Sequence, residues 1–355
     1  MTKPRTRLKS LGKAIEREGK SLLRRTLIRA LPKPRMPRRR PTAQDPMRIL
    51  AVRHDARLGN LLLLTPALRL LKRAFPDARI DALISGRYGA ALAFNQDAER
   101  VLTPAALPGI FLKGGYDLAF DFSPQHAFSL SSAAWTALSR AKMRVGFERG
   151  DAAVFLNLLV SVPQIQAHET ANLCALVRTA APWAPIPTAE ELRPRWIFGP
   201  NEQEKGAELW RRLGLDGESL VFFLGGRAEK QLPVAWFLEL ACRAANTGRK
   251  VVLAGGPAEA KLLSAVKIPE NVLVAPEMPL RSFAAFLSCA RAVVTADTGP
   301  MHLAAALGRP SLEIFTHTEP WRFGYGWLPG CRVLETSGRA QSIDEAWNAL
   351  QGVLG

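Results

Sequence analysis

The feature that most constrains this chain is an alternation written twice: short apolar runs separated by segments of helical spacing, in two blocks on either side of a Pro-rich stretch. In the first block RILAVR (Arg48–Arg53), Ala78–Ser85, Tyr116–Phe122 and Met143–Gly146 read as strands, and Leu61–Phe75 as a helix. In the second, Leu220–Leu224, Lys250–Ala254, Val272–Val274, Ala292–Thr295 and Ser311–Phe315 read as strands. Helices are expected at about Ala235–Asn246, Ala258–Val266, Leu280–Ala290 and Pro300–Leu307. Strands alternating with helices imply parallel sheets with crossover connections. A chain of 355 residues is long enough for two such cores. The stretch APWAPIPTAEELRPRWIFGP (Ala181–Pro200) is the expected linker. The expectation is an α/β chain with an extension over 1–46, a domain over 47–195 and a second over 196–355.

The net charge of +17 sits mostly in the extension. Residues 1–47 carry fifteen Lys or Arg against Glu16, Glu18 and Asp45, which is +12 of the total. Within 7–31, Leu8, Leu11, Ile15, Leu22, Thr26 and Leu27 recur at helical spacing among the basic residues. This reads either as a solvated extension or as a basic amphipathic helix lying on an anionic membrane surface. Prolines at 32, 34, 37, 41 and 46 make the following segment a linker. The charge would also suit phosphate contacts, but aromatic interleaving is missing and the apolar stripe favours a membrane or partner surface, so no nucleic acid is expected. Cys174, Cys242, Cys289 and Cys331 stand too far apart for a C-x-x-C metal site and read as buried free thiols in a reducing cytoplasm. The longest apolar stretches are too short or too interrupted to span a bilayer, and the start lacks a signal-peptide core.

Chemistry is expected in the loops after the second-block strands, because ligands in doubly wound sheets bind beyond the carboxyl ends of the strands. Gly225-Gly226, Gly255-Gly256 and Asp297-Thr298-Gly299 each bring backbone N–H groups to or near a helix start. Unsatisfied amides and the helix dipole there favour an anion such as a diphosphate.

The segment ADTGPMHLAAALGRP (Ala296–Pro310) resembles the signature of glycosyltransferase family 9, the lipopolysaccharide heptosyltransferases. RLGNLLLLTPALRLLKRAFPDARI (Arg57–Ile80), GGRAEKQLP (Gly225–Pro233) and GGPAEAKLL (Gly255–Leu263) fall in order with it, so the resemblance covers about 47–335. It implies a GT-B fold, two doubly wound Rossmann-like domains facing a cleft, with acceptor on the first and nucleotide sugar on the second. It implies no metal and no cofactor beyond an ADP-sugar donor. Carried over by position, Gly226, Lys230 and the amides of Thr298 and Gly299 would hold the diphosphate. Gly256 would belong to the donor site, Glu259 would hold the ribose hydroxyls, Asp297 the donor sugar or the loop geometry, and His302 would lie either at the ligand or in the packing. His317, Glu319 and Arg322 follow the last strand, where base and sugar contacts commonly occur in this fold.

The resemblance breaks at one position that matters. The family's inverting mechanism takes the acceptor proton with a carboxylate in a Gly-Asp pair, where this chain has Gly59-Asn60. An amide accepts no proton near neutral pH. Asp55 or Asp121 could supply the carboxylate, or the chain has no base. Leu232 also stands where the family often has an aromatic. Two functions compete: transfer of heptose or a related sugar from an ADP-sugar to a lipid-linked anionic glycan, the lipopolysaccharide inner core, peripherally on the inner face of the inner membrane; or a catalytically silent GT-B binding protein in envelope glycan assembly.

Overall fold

The computed structural model describes residues 47–106, 115–162, 166–226, 232–256, 263–336 and 342–355, together with Thr26, 34–37, 40–45, Lys230 and Glu259. The expected amphipathic helix at 7–31 lies outside these apart from Thr26, and of the helix expected at 258–266 only Glu259 and 263–266 lie within them.

Two parallel six-stranded sheets carry the fold. The first comprises β1 (Arg48–Arg53), β2 (Arg79–Ile84), β3 (Arg100–Leu102), β4 (Leu118–Asp121), β5 (Met143–Phe147) and β6 (Leu158–Val160), in the order 3-2-1-4-5-6. The second comprises β7 (Leu220–Phe223), β8 (Val251–Ala254), β9 (Val272–Val274), β10 (Ala292–Ala296), β11 (Ser311–Phe315) and β12 (Cys331–Glu335), in the order 12-11-10-7-8-9. Counted from its own first strand, this is the same order. Strand order therefore reverses between β1 and β4 in one sheet and between β7 and β10 in the other. Such reversals leave a crevice at the carboxyl ends of the strands. β1, β4, β7 and β10 are almost wholly buried because helices cover both faces, which is why they read as apolar runs without alternation. This is the GT-B fold.

The helices that position the cleft are α1 (Leu58–Ala74), α2 (Glu169–Ala180), α3 (Glu202–Arg212), α4 (Leu280–Leu287), α5 (Gly299–Ala306) and α6 (Pro320–Phe323). α1 contains Pro66, which cannot donate to the carbonyl of Leu62 one turn back. The hydroxyl of Thr65 replaces the missing donor, 2.7 Å from Leu62 O. The same hydroxyl accepts the backbone N–H of Arg195 at 2.9 Å, which ties the linker to the helix.

The two halves meet where the N-termini of α1 and α5 abut. Leu58 lies against Gly299, and the ring of His302 lies so close to Gly59 that a Cβ there would stand 2.2 Å from Cδ2. Only glycine permits that approach. Leu58, Leu62 and Ala91 of the first half share an apolar cluster with Leu303, Ala304, Val221 and Trp210 of the second. Arg281 on α4 adds a polar clamp. Its guanidinium lies between Phe94 and Trp196, 4.7 and 4.9 Å from the ring centroids. It donates to Ala90 O at 2.7 Å, Ile197 O at 2.8 Å and Glu202 Oε1 at 2.6 Å. One side chain thus joins the first half, the linker and the second half. Of the four cysteines, Cys174 and Cys331 are buried, whereas Cys242 and Cys289 are half-buried rather than fully buried.

Gly59→Ala should cost about 1–3 kcal/mol, the usual range for forcing a methyl into a filled space. A thermal melt checks this: the midpoint should fall, and an unchanged midpoint would show that the two helices part without cost.

Candidate functional site

Both switch points open into one cleft of about 900 Å³. Its second-half wall is built from the loops after β7, β8 and β10: Gly225, Gly226, Lys230, Gly255, Gly256, Glu259, Asp297, Thr298 and Gly299. Thr298 is the N-cap of α5 and Gly299 its first residue, so their amides head the helix where no intrahelical acceptor exists. Lys230 reaches the same place. Its Nζ pairs with Asp297 Oδ2, and the hydroxyl of Thr318 donates to that same oxygen. Asp297 is itself fixed by its N–H to Ile314 O at 3.1 Å. The carboxylate therefore holds the ammonium beside the helix start, where both favour an anion.

The loop after β8 differs from expectation in one respect. Glu259 Oε2 accepts the N–H of Gly256 at 3.0 Å, so that amide already has an anionic partner. Beyond this loop the cleft turns apolar, lined by Phe223, Phe283, Met278 and Leu280. Phe223 and Phe283 lie 5.6 Å apart at 54°. A flat heteroaromatic ring suits such a slot.

The first-half wall is formed by Arg57, Gly59 and Asn60 at the start of α1, with Arg87, Tyr88 and His126. Asn60 lines the cleft, whereas Asp55 and Asp121 are not among its lining residues. Asn60 Nδ2 donates to Asp55 Oδ1 at 2.7 Å. A carboxylate only accepts, so this bond fixes which way the amide points and turns its carbonyl oxygen away from Asp55. Asp55 Oδ2 stands 2.8 Å from Nε of the fully buried Arg53, a charge contact without hydrogen-bond alignment. Asp121 lies in the interior, where burial pushes its carboxyl up against the opposing influence of Arg149 and Ser123. Its Oδ1 accepts the Ser123 N–H at 3.0 Å.

His302 closes the cleft floor. Burial holds its imidazole down to about 4, so it is neutral, and its Nδ1 lies 2.8 Å from Tyr325 Oη. The N–H of Tyr325 donates to Glu313 Oε2 at 2.7 Å, and Ser311 Oγ donates to Oε1 at 2.9 Å. Glu313 is fully buried, and burial pushes its carboxyl up to about 8 despite those two donors. His317 and Glu319 are exposed and do not line the cleft, and Arg322 is buried beneath it. Sequence reasoning missed His126, Arg87, Tyr88 and the apolar slot. His126 was within reach, since it lies in the loop after a switch-point strand.

The family model for glycosyltransferase family 9 (heptosyltransferase) matches residues 112–341. Lipopolysaccharide heptosyltransferase 1 of Salmonella typhimurium is 37% identical over 103 residues, 28% of this chain and 32% of that protein. Its namesake in Pseudomonas aeruginosa is 39% identical over 121 residues, 30% of this chain and 34% of that protein. These alignments thus span about a third of each curated relative. A glycosyl transferase family 9 structure from Veillonella parvula superimposes with a TM-score of 0.75 at 18% identity, covering 88% of this chain and 98% of that one. An E. coli heptosyltransferase solved with ADP gives 0.67 at 24% identity, covering 86% and 100%.

The Glu313 carboxyl makes a pH test. Its folded value lies above that of an unfolded Glu, so the native state holds a proton that the unfolded chain releases, and stability is lost as pH rises from about 4.5 to about 8. Glu313→Gln should remove that loss. Urea titrations of both proteins should show the variant gaining on the parent by up to about 1.4 kcal/mol per pH unit across the window. Parallel curves would place the carboxyl in its ordinary range.

Proposed function

This chain belongs to glycosyltransferase family 9, and from that premise we propose that it is an inverting, metal-independent transferase moving heptose or a related sugar from an ADP-sugar to a lipid-linked anionic glycan, the lipopolysaccharide inner core. The observation that carries this reading is the convergence of both switch points on one cleft with unlike walls. One wall has a lysine, a helix start and an apolar slot, which suits a nucleoside diphosphate. The other has Arg57 and Arg87, which suit an anionic acceptor. The division at 47–195 and 196–355 follows as acceptor side and donor side.

The leaving nucleoside diphosphate develops negative charge as the sugar departs. Lys230 and the amides of Thr298 and Gly299 are fixed before the reaction, so they stabilise that charge without reorganising. Asp297 aims Lys230, and the gap between Asp297 and His302 takes the sugar. Glu259, already bonded to Gly256, holds a ribose hydroxyl with its second oxygen. Asn60 receives the attacking hydroxyl through its carbonyl oxygen, oriented by Asp55. The amide itself takes no proton, so as the acceptor oxygen bonds to the anomeric carbon its proton passes directly to a carboxylate, Asp55 or Asp121, and the nucleoside diphosphate departs with the bonding pair. The basic extension, with its stripe at 7–31, draws the protein to an anionic membrane, at roughly 1 kcal/mol per Lys or Arg near the headgroups.

A second reading is favoured by the engagement of Asp55 with Asn60 and Arg53 and by the burial of Asp121: a GT-B protein that binds donor and acceptor in envelope assembly without turnover. Loss of a general base costs about 10²- to 10⁴-fold in rate and leaves donor binding intact.

Transfer from ADP-heptose to a lipid A–Kdo acceptor series decides between them. Purified wild type should turn over and Asp55→Ala should lose about 10²-fold or more. Turnover by Asn60→Asp alone identifies the silent protein. Lys230→Ala should weaken ADP binding about 10- to 100-fold by calorimetry, the range for a charged hydrogen bond. Unchanged affinity would remove the donor assignment.

A further inference from the structure

Arg322 is a buried cation of the second half whose partners lie in the first. It sits on α6, 6% exposed, and both Nε and Nη2 stand 3.1 Å from Oε2 of Glu169, the fully buried first residue of α2. Its Nη2 also stands 2.5 Å from Nδ1 of His126. The ring of His126 is exposed and lines the cleft. Glu169 and Arg322 line no part of it.

The contact fixes the state of the ring. A guanidinium carries only donors and stays charged in proteins, so Nδ1 must be the acceptor. A proton on Nδ1 would set two donors face to face. The neutral ring then carries its single proton on Nε2. Such a ring cannot take a proton from a hydroxyl at Nε2, where one already sits. It can donate. Arg53, Arg149 and Arg322 act on this position against Glu169, so the field around it is positive and an electron-rich oxygen is the partner it favours.

We propose that His126 is an acceptor-binding residue, held as an Nε2–H donor by the positioning residues Arg322 and Glu169 across the domain boundary, and that its ligand is a carboxylate or phosphate oxygen of the glycan acceptor. This rests on the transferase reading of the cleft. It adds a coupling that the loops alone do not provide, because the acceptor-side donor is oriented by a side chain of the nucleotide-side half. Parting of the halves withdraws Arg322 and frees the ring to adopt either tautomer.

The lock is tested without any acceptor. In full-length protein labelled with nitrogen-15 on histidine, His126 should show an unprotonated Nδ1 and a protonated Nε2 through neutral pH. Arg322→Lys, which keeps the charge but lacks the fork, should mix the tautomers. A protonated Nδ1 in the wild type overturns the proposal. The ligand is tested with two probes, a Kdo glycoside presenting a carboxylate and a phosphorylated glucosamine disaccharide presenting a phosphate. His126→Ala should weaken one of them about tenfold, the usual weight of a hydrogen bond, and whichever responds identifies the oxygen. His126→Gln, whose amide N–H reaches the place of Nε2, should restore most of the affinity. ADP affinity should stay unchanged in both variants. If His126→Ala binds both probes as well as wild type, or if Gln fails to rescue while ADP affinity falls too, the residue is only part of the domain contact and the proposal falls. Failure of wild type to bind either probe or ADP would count against the transferase reading, and the tautomer result would still decide the lock.

Discussion

The cleft exists because two helix N-termini can touch. α1 and α5 each begin with their amides toward the same space, and they come together only because Gly59 offers no Cβ to the ring of His302 and Gly299 none to Leu58. A side chain at either glycine would push the amides of Thr298 and Gly299 away from Asn60 on the opposite wall. The sheets behind them are ordinary doubly wound sheets, and their shared strand order places both crevices on the facing edges. Backbone proximity thus sets the size of the site, and the side chains then furnish it.

Charge is used across this boundary with little waste. Lys230 with Asp297 lies within the second half, whereas Arg322 with Glu169 and Arg281 with Ala90 span the halves. A buried ion pair is weak evidence for added stability, since desolvation consumes most of the attraction, but removing one partner costs about 3–5 kcal/mol. The physical effect is on register: a displacement of the halves strands a charge in the interior. Arg281 supplements this with two aromatic faces, so packing and polarity fix the same relative position.

Much of the fold was legible in the sequence, and the reasons are local. Buried parallel strands are short apolar runs, and RILAVR, LVFF and AVVTA announce β1, β7 and β10 without context. Three of the four edge strands are a different matter. Arg100–Leu102, Leu158–Val160 and Cys331–Glu335 are short or carry exposed polar residues, because an edge has only one neighbour to pack against, and none was expected, whereas the fourth, Val272–Val274, was read from its unbroken apolar run. The second-half loops that line the cleft were legible for the same reason as the central strands, since glycine before an apolar helix is a strong local sign. The partners of those residues were not. That Asn60 would bond to Asp55, that Glu259 would turn back on Gly256, and that His126 would meet an arginine 196 positions later are outcomes of tertiary contact that no local pattern encodes.

The shared apolar cluster around Leu58, Leu62 and Ala91 has a consequence for biosynthesis. The first sheet is complete at Val160, yet Leu303 and Ala304, which cover Leu58 and Leu62, are translated about 140 residues later. At a synthesis rate of about 5–20 residues per second, the nascent chain carries Leu58 and Leu62 uncovered for roughly 7–30 s after its first sheet can close. The glycine and asparagine that later form one lip of the cleft begin as part of a sticky surface on the ribosome. The order in which the two halves are made therefore fixes how long those two leucines stay exposed.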